Sequence, residues 1–339
     1  MKTAIISLTK NGGITAVKVK EAIGGDLFNR VPPEPYMTTV LRRPLSVLMP
    51  EIFDKYDRFV LIMAVGIAVR VVAPLIKTKD VDPAIVVMDE KGMFAISFLS
   101  GHLGGANDLA LELERKIQAI AVITTATDVN NTVAFDMVAK KNNCVIPYLS
   151  RLAKVSSAVV NGRLIKVASD FPIEGRLPRN IVIADKVNKE ESVRITNKLI
   201  TSFPGLILVP KNLVLGIGCR RGTPYKKIRK ALTKFLHEKG YNEAAIDVIT
   251  SVDIKADEKG LIELSQNMDV PFYTYDPDQL RRISSKYTAS AFVAAVTGTP
   301  SVAEAAALIH AKGGFTIVPK TIVDGITFSL AEVPTKIKI

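Results

Sequence analysis

Tryptophan is absent from this 339-residue chain, cysteine occurs twice and histidine three times. The two cysteines, Cys144 and Cys219, cannot form the set of disulfides that holds small secreted domains together, so a reducing cytoplasm is the expected compartment. No histidine has a second His, Cys or carboxylate at ligand spacing, which argues against a zinc site built by the protein. Aromatic residues make up only 6% of the chain, which disfavours the stacking surfaces of single-stranded nucleic-acid binders.

Long hydrophobic runs are also missing. The longest apolar stretch, residues 59–73, is interrupted by Gly66 and Arg70 and is shorter than the roughly 20 residues that a membrane-spanning helix needs. A hydrophobic content of 48% with 23% charged residues is typical of a globular protein and not of a disordered chain. We therefore expect no membrane partner, and the length predicts two or three domains.

Acidic residues are in the minority. The chain has 45 Lys and Arg against 33 Asp and Glu, a formal net charge of +12 and an isoelectric point of about 9.5, so its surface attracts anions. No block of Lys and Arg interleaved with aromatics accompanies this charge, and nucleic acid is therefore not the expected partner. A small polyanionic ligand is compatible with the charge, and so are solubility and heat tolerance.

Apolar runs that alternate with helical patterns predict an α/β fold. We expect a Rossmann-like N-terminal α/β domain (residues 1–132), a small α/β middle domain (133–210) and a C-terminal α/β domain with a mainly parallel sheet (211–339). Five prolines between residues 31 and 50 predict a loop there. The middle domain shows no recognisable chemistry, so a structural spacer is the favoured interpretation.

The bend at residues 100–108, Ser-Gly-His-Leu-Gly-Gly-Ala-Asn-Asp, lies between an apolar run and a helical pattern. A bend between a strand and a helix is where backbone N–H groups point outward unpaired. His102 suits acid–base chemistry near neutrality, because its unperturbed pKa is close to neutral pH. A histidine merely hydrogen-bonded across the bend is the alternative. The loops at Gly66, His102 and Thr125 all follow apolar runs, and we expect them to gather at one edge of the sheet.

A second loop, Gly-Ile-Gly-Cys-Arg-Arg-Gly-Thr at residues 216–223, resembles a nucleotide-binding loop. Its third glycine is one residue too far for G-x-G-x-x-G, and no lysine stands where a P-loop needs one, which disfavours a nucleotide-binding enzyme. Arg220 and Arg221 beside a helix start predict binding of carboxylates or phosphates. A surface turn whose arginines pair with Asp or Glu is the alternative. Cys219 is more readily explained as a small residue in a tight loop than as an activated thiolate.

Two further segments remain open. Residues 251–258 place Lys255 among acidic groups in a strand-to-helix loop, which is either a ligand site or a capped turn. Residues 301–304, Ser-Val-Ala-Glu, have the form of a capping box, so a cap is favoured over a ligand contact for Glu304. The G-x-S-x-G elbow of many serine hydrolases is absent.

Taken together, these motifs resemble the cobalamin-biosynthesis protein CbiG family. The N-terminal part of that family is matched by residues 65–70, 82–84, 100–107 and 124–128. Its C-terminal domain is matched by residues 216–223, 251–258, 297–307 and 318–320. The resemblance covers nearly the whole chain in the expected order, and the middle segment is its least recognisable part.

The resemblance implies a cobalt-precorrin-5A hydrolase of the anaerobic route to the corrin ring. The implied reaction opens a δ-lactone on the macrocycle with water, releases a two-carbon unit as acetaldehyde and gives cobalt-precorrin-5B. No cofactor built by the protein is expected, since the cobalt belongs to the substrate. The implied partners are the anionic corrinoid, neighbouring enzymes of the pathway and a second copy of the chain in a homodimer. A tetrapyrrole-binding or delivery protein without its own chemistry is the alternative.

Lactone opening needs an activated water, donors for the developing oxyanion and a base for carbon–carbon cleavage. We expect His102 to be the acid/base, with Asp108 or Asp128 as its orienting partner, and the backbone N–H groups of residues 104–106 to be the oxyanion donors. The residues expected to contact the substrate stand mostly at strand ends and helix starts: Gly66, Arg70, Ser100, Gly104, Gly105, Asn107, Thr125, Arg220, Arg221, Lys255 and Glu304.

Overall fold

The structure, a computed structural model, describes residues 1–33, 39–78, 81–102, 104–129, 132–280 and 302–339. The chain divides into two compact units, residues 1–137 and residues 138–339. The three-domain boundaries expected from the sequence remain a prediction. Within the described ranges, no helix combines the length and the apolar character that crossing a membrane requires.

The first unit is a seven-stranded sheet with helices on both faces. Its strands are β1 (Thr3–Ser7), β2 (Asp26–Asn29), β3 (Thr39–Val40), β4 (Arg58–Ile62), β5 (Ala84–Met88), β6 (Phe94–Leu99) and β7 (Ile120–Val122). Its helices are α1 (Lys10–Ile23), α2 (Leu45–Ile52), α3 (Val65–Val72), α4 (Ala106–Ile117) and α5 (Ala126–Val129), with 3-10 turns at Phe53–Lys55 and Ala73–Leu75, and α6 (Phe135–Lys141) begins in this unit and continues past its boundary at residue 137. The side chains of α1 and α4 pack on one face of the sheet, and those of α2 and α3 pack on the other.

The strands of this sheet follow the order β3-β2-β1-β4-β5-β6-β7. Strands β1 to β5 are parallel, β6 is antiparallel to β5, and β7 is parallel to β6. The tight turn at residues 89–92, between β5 and β6, therefore reverses the chain direction within the sheet. The expectation that the loops at Gly66, His102 and Thr125 share one edge is wrong, because strands ending in opposite directions place their loops at opposite edges. His102 and Thr125 follow β6 and β7 at one edge, whereas Gly66 follows β4 at the other.

The prediction of a loop throughout residues 31–50 is wrong for the C-terminal part of this segment, because α2 begins after Pro44. Proline favours an extended residue before it and is tolerated at a helix start, so the prolines did not exclude a helix here. Leu45, Met49 and Ile52 are spaced by four and three residues and are all buried. Their burial in the sheet core stabilises a short helix that also contains Pro50.

The described residues of the second unit form three sheets. Its strands are β8 (Cys144–Val145), β9 (Ile165–Ser169), β10 (Ile173–Glu174), β11 (Ile181–Ile183), β12 (Ser192–Ile195), β13 (Leu206–Pro210), β14 (Leu213–Gly218), β15 (Ile246–Val252), β16 (Phe272–Tyr275), β17 (Phe315–Val323), β18 (Ile326–Glu332) and β19 (Ile337–Lys338). Its helices are α7 (Leu149–Val160), α8 (Tyr225–Lys239), α9 (Lys259–Met268) and α10 (Val302–His310), with 3-10 turns at Glu243–Ala245 and Asp253–Lys255.

Each of the two larger sheets in this unit has five strands. The first has the order β11-β9-β12-β13-β8, in which only β8 is antiparallel to its neighbour. The second has the order β16-β15-β14-β18-β17, in which β14, β15 and β16 are parallel and the β17–β18 hairpin is antiparallel. The strands β10 and β19 form a separate pair. The α/β fold class expected from the sequence is confirmed.

Helix α8 illustrates how the sequence pattern produces the packing of this unit. Its buried residues, spaced at three and four positions, are Ile228, Ala231, Leu232, Phe235 and Leu236. Phe235 stacks on Phe328 of β18 with the ring centroids 5.1 Å apart. The helix ends at Gly240, whose φ of 71° is the left-handed conformation that glycine adopts without strain.

We predict that Gly216→Ala lowers the free energy of unfolding by about 1–3 kcal/mol, the usual cost of overpacking a core. A Cβ at Gly216 would lie 1.9 Å from the carbonyl oxygen of Ala303, at the start of α10. Gly218→Ala on the same strand is the matched control, because its Cβ would meet nothing closer than Thr327 Cβ at 3.5 Å. Urea denaturation measures both variants, and equal stabilities would contradict this packing of α10 on β14.

Candidate active site

The bend between β6 and α4 and the loop between β7 and α5 lie side by side. A Cβ on Gly101 would stand 2.8 Å from Asn107 Oδ1 and 3.3 Å from Thr125 Cγ2, so the two segments approach too closely for a larger residue. Ser100 has a φ of 56°, which is uncommon for a residue other than glycine. Backbone strain of this kind is often found at functional sites.

His102 lies between two carboxylates. Its Nδ1 is 3.1 Å from Asp136 Oδ2, and its Nε2 is 2.7 Å from Asp128 Oδ2 and 3.1 Å from Thr127 Oγ1. A neutral imidazole carries one N–H, and an ionised carboxylate can only accept. Both contacts are therefore hydrogen bonds only when His102 is an imidazolium that donates from each ring nitrogen.

The pKa of His102 is raised to about 9. The hydrogen bond to Asp136 contributes most to this rise, burial of the ring opposes it, and the hydrogen bond to Asp128 adds to it. Burial acts to raise the pKa of Asp128, but the hydrogen bonds from Thr125 and His102 outweigh burial and the pKa is lowered. The site therefore holds a cation and an anion near neutral pH.

Asn107, at the start of α4, is hydrogen-bonded to Asp128 and helps to hold its carboxylate against His102. Its Oδ1 accepts a hydrogen bond from Ser97 Oγ at 2.6 Å, and its Nδ2 donates to Thr125 Oγ1 at 2.9 Å and to Asp128 Oδ2 at 3.0 Å. Thr125 also donates its hydroxyl hydrogen to Asp128 Oδ2. That single oxygen of Asp128 thus accepts from His102, Asn107 and Thr125, which fixes the carboxylate although its side chain is 44% exposed.

Two of the three backbone N–H groups expected as oxyanion donors are already used within the bend. The N–H of Gly105 donates to the carbonyl of His102 at 3.0 Å, and that of Ala106 donates to the carbonyl of Ser100 at 3.1 Å. The expectation that these two N–H groups act as oxyanion donors is therefore wrong for this geometry. Ser100 Oγ, in contrast, is buried and has no hydrogen-bond partner among the described residues, so a hydroxyl remains available in the bend.

Asp136 was missed by reasoning from the sequence. It is 34 positions from His102 and lies at the start of α6, and no local motif connects the two. The orienting partner was expected to be Asp108 or Asp128. The structure places Asp128 on the ring, whereas Asp108 is an exposed residue in the otherwise buried first turn of α4.

Gly66 and Arg70 are not brought together with His102 in the first unit. They belong to α3, at the opposite edge of the sheet, where Arg70 Nη1 donates to the carbonyl of Gly66 at 3.1 Å. A single contact surface containing Gly66, Arg70 and the bend at residues 100–105 is therefore not formed by this sheet.

The structure distinguishes the two arginines of the loop after β14. Arg221 makes a bidentate ion pair with Asp257 at 2.9 and 3.0 Å and also donates to the carbonyl of Ile254 at 3.1 Å. Arg220 is exposed and makes no ion pair with any described residue. The alternative, a surface arginine paired with an acidic side chain, thus holds for Arg221. The guanidinium of Arg220 has no such partner among the described residues and can pair with an anionic ligand.

Lys255 and Glu258 form a largely buried pair in the adjacent loop. Lys255 Nζ is 3.5 Å from Glu258 Oε2, and the side chains are 11% and 4% exposed. The other carboxylate oxygen of Glu258 accepts the N–H of Gly222 at 2.9 Å, so Glu258 connects the loops after β14 and β15. Burial raises the pKa of Cys219 although Lys255 acts to lower it, which disfavours an activated thiolate.

Glu304 is buried in the first turn of α10 and accepts the backbone N–H of Lys320 at 3.3 Å. Ser301, the other half of the expected capping box, lies outside the described residues. Among the residues that the structure describes, no three His, Cys, Asp or Glu side chains are arranged to hold a metal ion.

Three family models match the chain in order. They are described as Cobalamin synthesis G N-terminal (residues 47–128), Cobalamin biosynthesis central region (133–210) and Cobalamin synthesis G C-terminus (213–331). The chain is 31% identical over 315 residues to "Cobalt-precorrin-5A hydrolase" of Priestia megaterium, covering 86% of this chain and 82% of that protein. The chain belongs to the CbiG family.

A second relative, "Cobalt-precorrin-5A hydrolase" of Salmonella typhimurium, is 36% identical over 273 residues, which cover 77% of this chain and 78% of that protein. The chain also matches the crystal structure of cobalamin biosynthesis protein chiG from Agrobacterium tumefaciens, with 29% sequence identity and a TM-score of 0.31. The matched region covers 36% of this chain and 98% of that protein's chain. The three family models and the two relatives confirm the resemblance to the CbiG family that the motifs indicated.

We predict that the stabilising effect of His102 depends on pH. Because its folded-state pKa is raised to about 9, the stabilisation is complete below the unfolded-state pKa of about 6.5 and is lost as the pH rises through about 9. Relative to His102→Gln, the wild type should be more stable by about 1–3 kcal/mol at pH 6. This difference in the free energy of unfolding, measured by urea denaturation, should be smaller at pH 10.

Groups that titrate in both the wild type and His102→Gln contribute equally to the two free energies of unfolding, so their contributions cancel in the difference. Glu51→Gln, which removes an exposed ion pair with Arg43 in the same unit, is the control and should give a small difference that does not shrink in this pH range. A pH-independent difference between wild type and His102→Gln would contradict the charged state of His102.

Proposed function

We propose that this protein is a cobalt-precorrin-5A hydrolase of cobalamin biosynthesis. The observation that carries the proposal is the similarity to two relatives of that name, at 31% and 36% identity over most of both chains. The net charge of +12 suits a substrate that is an anionic corrinoid with several carboxylate arms. The cobalt is part of that substrate, and we propose no cofactor of the protein's own.

The reaction has two steps with different demands. Water adds to the lactone carbonyl, and the ring oxygen leaves as an alcohol, so that a carboxylic acid and a hydroxyl group form. The hydroxyl oxygen then loses its proton as the neighbouring carbon–carbon bond breaks, which releases acetaldehyde. The electron pair of that bond remains on the macrocycle, which takes up a proton. A proton donor assists the departure of the ring oxygen in the first step. A proton acceptor takes the hydroxyl proton in the second step.

His102 is suited to the donor role. Both ring nitrogens face carboxylates, so the ring carries its proton at neutral pH and is not free to accept another. We propose that the substrate displaces Asp128, the more exposed of the two carboxylates, from Nε2, so that this N–H can donate its proton to the departing alkoxide. Asp128, with its partly exposed side chain, is the adjacent carboxylate able to accept a proton. We propose these two as the catalytic pair and Asp136 as the residue that positions His102.

Two free, partly buried cysteines, Cys144 and Cys219, are compatible with a reducing compartment. We propose the cytoplasm as the location of this activity.

Acetaldehyde release by purified protein supplied with cobalt-precorrin-5A tests the function. We expect stoichiometric acetaldehyde, detected as its hydrazone, together with loss of the two-carbon unit from the macrocycle by mass spectrometry. A protein that binds the macrocycle but releases no acetaldehyde would be a tetrapyrrole carrier, which would contradict the proposal.

We predict that His102→Gln lowers kcat by about 100-fold or more, the usual range for loss of a general acid. Asp136→Asn should leave the ring in place but lower the pKa of His102, because it removes the largest contribution to the raised value. The alkaline limb of the pH–rate profile should then move to lower pH.

Glu51→Gln serves again as the control and should keep the wild-type profile, since it disturbs only an exposed ion pair. A profile for Asp136→Asn that has the wild-type shape but a lower maximum would show a merely structural contribution and would remove Asp136 from the mechanism.

A further inference from the structure

Ser100, which joins β6 to the bend that carries His102, has two features that cost stability. Its φ of 56° lies in the left-handed region, which is unfavourable for any residue with a Cβ. Its Oγ is buried without a hydrogen-bond partner among the described residues, and an unpaired buried hydroxyl is destabilising. Alanine would remove the second cost, and glycine would remove both. Two such costs at one residue beside a candidate active site are typical of a functional role.

Gly104 lies directly against the side chain of Ser100. A Cβ on Gly104 would stand 2.3 Å from Ser100 Cβ and 3.3 Å from Ser100 Oγ, so a larger residue does not fit at this point of the bend. The N–H of Gly104 donates to none of the described residues, whereas those of Gly105 and Ala106 donate to carbonyl oxygens of the bend. Two residues in contact, Ser100 and Gly104, thus each hold a donor that has no acceptor in this part of the structure.

The Ser100 hydroxyl can turn without a change in the backbone. A serine side chain rotates about one bond, Cα–Cβ, among three staggered positions. No hydrogen bond to a described residue holds the hydroxyl in its present position. Ser100 as a whole is partly exposed although its Oγ is buried. An acceptor that binds on the bend can therefore be met by rotation of this side chain.

We propose that Ser100 is a further catalytic residue, whose hydroxyl, together with the N–H of Gly104, donates hydrogen bonds to the oxyanion that forms as the lactone opens. The proposal rests on the hydrolase function for the reaction and on the unpaired donors of the bend for the site. His102 is two residues further along the same bend, so the oxyanion donors and the proton donor come from one segment. Donors that lack an acceptor in the free protein and gain one in the transition state favour the transition state.

The two donors act on the addition of water. As the oxygen of water bonds to the lactone carbonyl carbon, a proton of that water passes to Asp128, and the π electrons move onto the carbonyl oxygen. When the intermediate collapses, those electrons form the C=O bond again, and the ring oxygen leaves with the proton of His102. Asp128 then passes its proton to His102, which restores both groups. Ser100 keeps its own proton throughout and stabilises the oxyanion without forming a covalent bond.

The substitution Ser100→Ala tests this role. It should lower kcat for acetaldehyde release from cobalt-precorrin-5A by about 100-fold or more, the usual effect of removing one oxyanion donor, with little change in KM. Mass spectrometry of the macrocycle should show that the closed lactone persists. The midpoint of urea denaturation should equal that of the wild type or exceed it, because the variant loses a buried hydroxyl that has no partner. A merely structural serine would give the reverse, a lower midpoint with normal kcat.

Two further variants separate the hydroxyl from the backbone. Ser100→Gly should have the same low kcat as Ser100→Ala and a midpoint at least as high, since glycine adopts a positive φ without strain. Activity would then follow the hydroxyl and not the conformation of the bend. Ser46→Ala, which changes an exposed serine of α2 in the same unit, is the matched control and should keep the wild-type kcat and midpoint.

Failure of the Ser100 role and failure of the hydrolase function give different results. A wild-type kcat in Ser100→Ala, or a loss of its fold, would overturn only the role of Ser100. Accumulation of the ring-opened acid in that variant would do the same, because it would place the defect in carbon–carbon cleavage. A covalent adduct on Ser100 of the rapidly quenched wild type would make this residue a nucleophile and contradict the donor role. A wild type that releases no acetaldehyde would overturn the hydrolase function itself.

Discussion

The pairing of His102 with two carboxylates is the interaction on which the candidate active site depends. Asp128 and Asp136 come from the segments after β7 and at the start of α6, and the imidazolium between them holds both segments against the bend after β6. Asn107 and Thr125 fix the same Asp128 oxygen from α4 and from the loop after β7. Without a charge on His102, one of the two carboxylates would face a ring nitrogen that carries no proton.

Much of the fold could be predicted from the sequence, because apolar periodicity reports local structure directly. The bend after β6, the turn at residues 89–92 and the apolar spacing of helix α8 all have local signals in the sequence, and strand, hairpin and helix stand at these places in the structure. The sequence also indicates the direction of β6, because a tight turn between two strands implies that they are antiparallel. Its consequence, that Gly66 and His102 lie at opposite edges, required the whole strand order and not the hairpin alone.

The composition of the candidate site was harder to predict, because side-chain pairing between distant segments leaves no periodic trace. Asp136 lies beyond the loop of Asp128 and contacts the other ring nitrogen of His102, which only the path of α6 reveals. Arg220 and Arg221 are identical neighbours in the sequence, yet Asp257 neutralises one and leaves the other free.

The central claim is that His102 is an imidazolium at neutral pH, and its ring nitrogens report this directly. With three histidines in the chain, the ¹⁵N-labelled imidazole resonances are few, and comparison with His102→Gln identifies those of His102. We expect both ring nitrogens of His102 to be protonated at about pH 7.5 and to titrate near the raised pKa of about 9. A neutral single tautomer at that pH, with a titration near the ordinary value of about 6.5, would contradict the account.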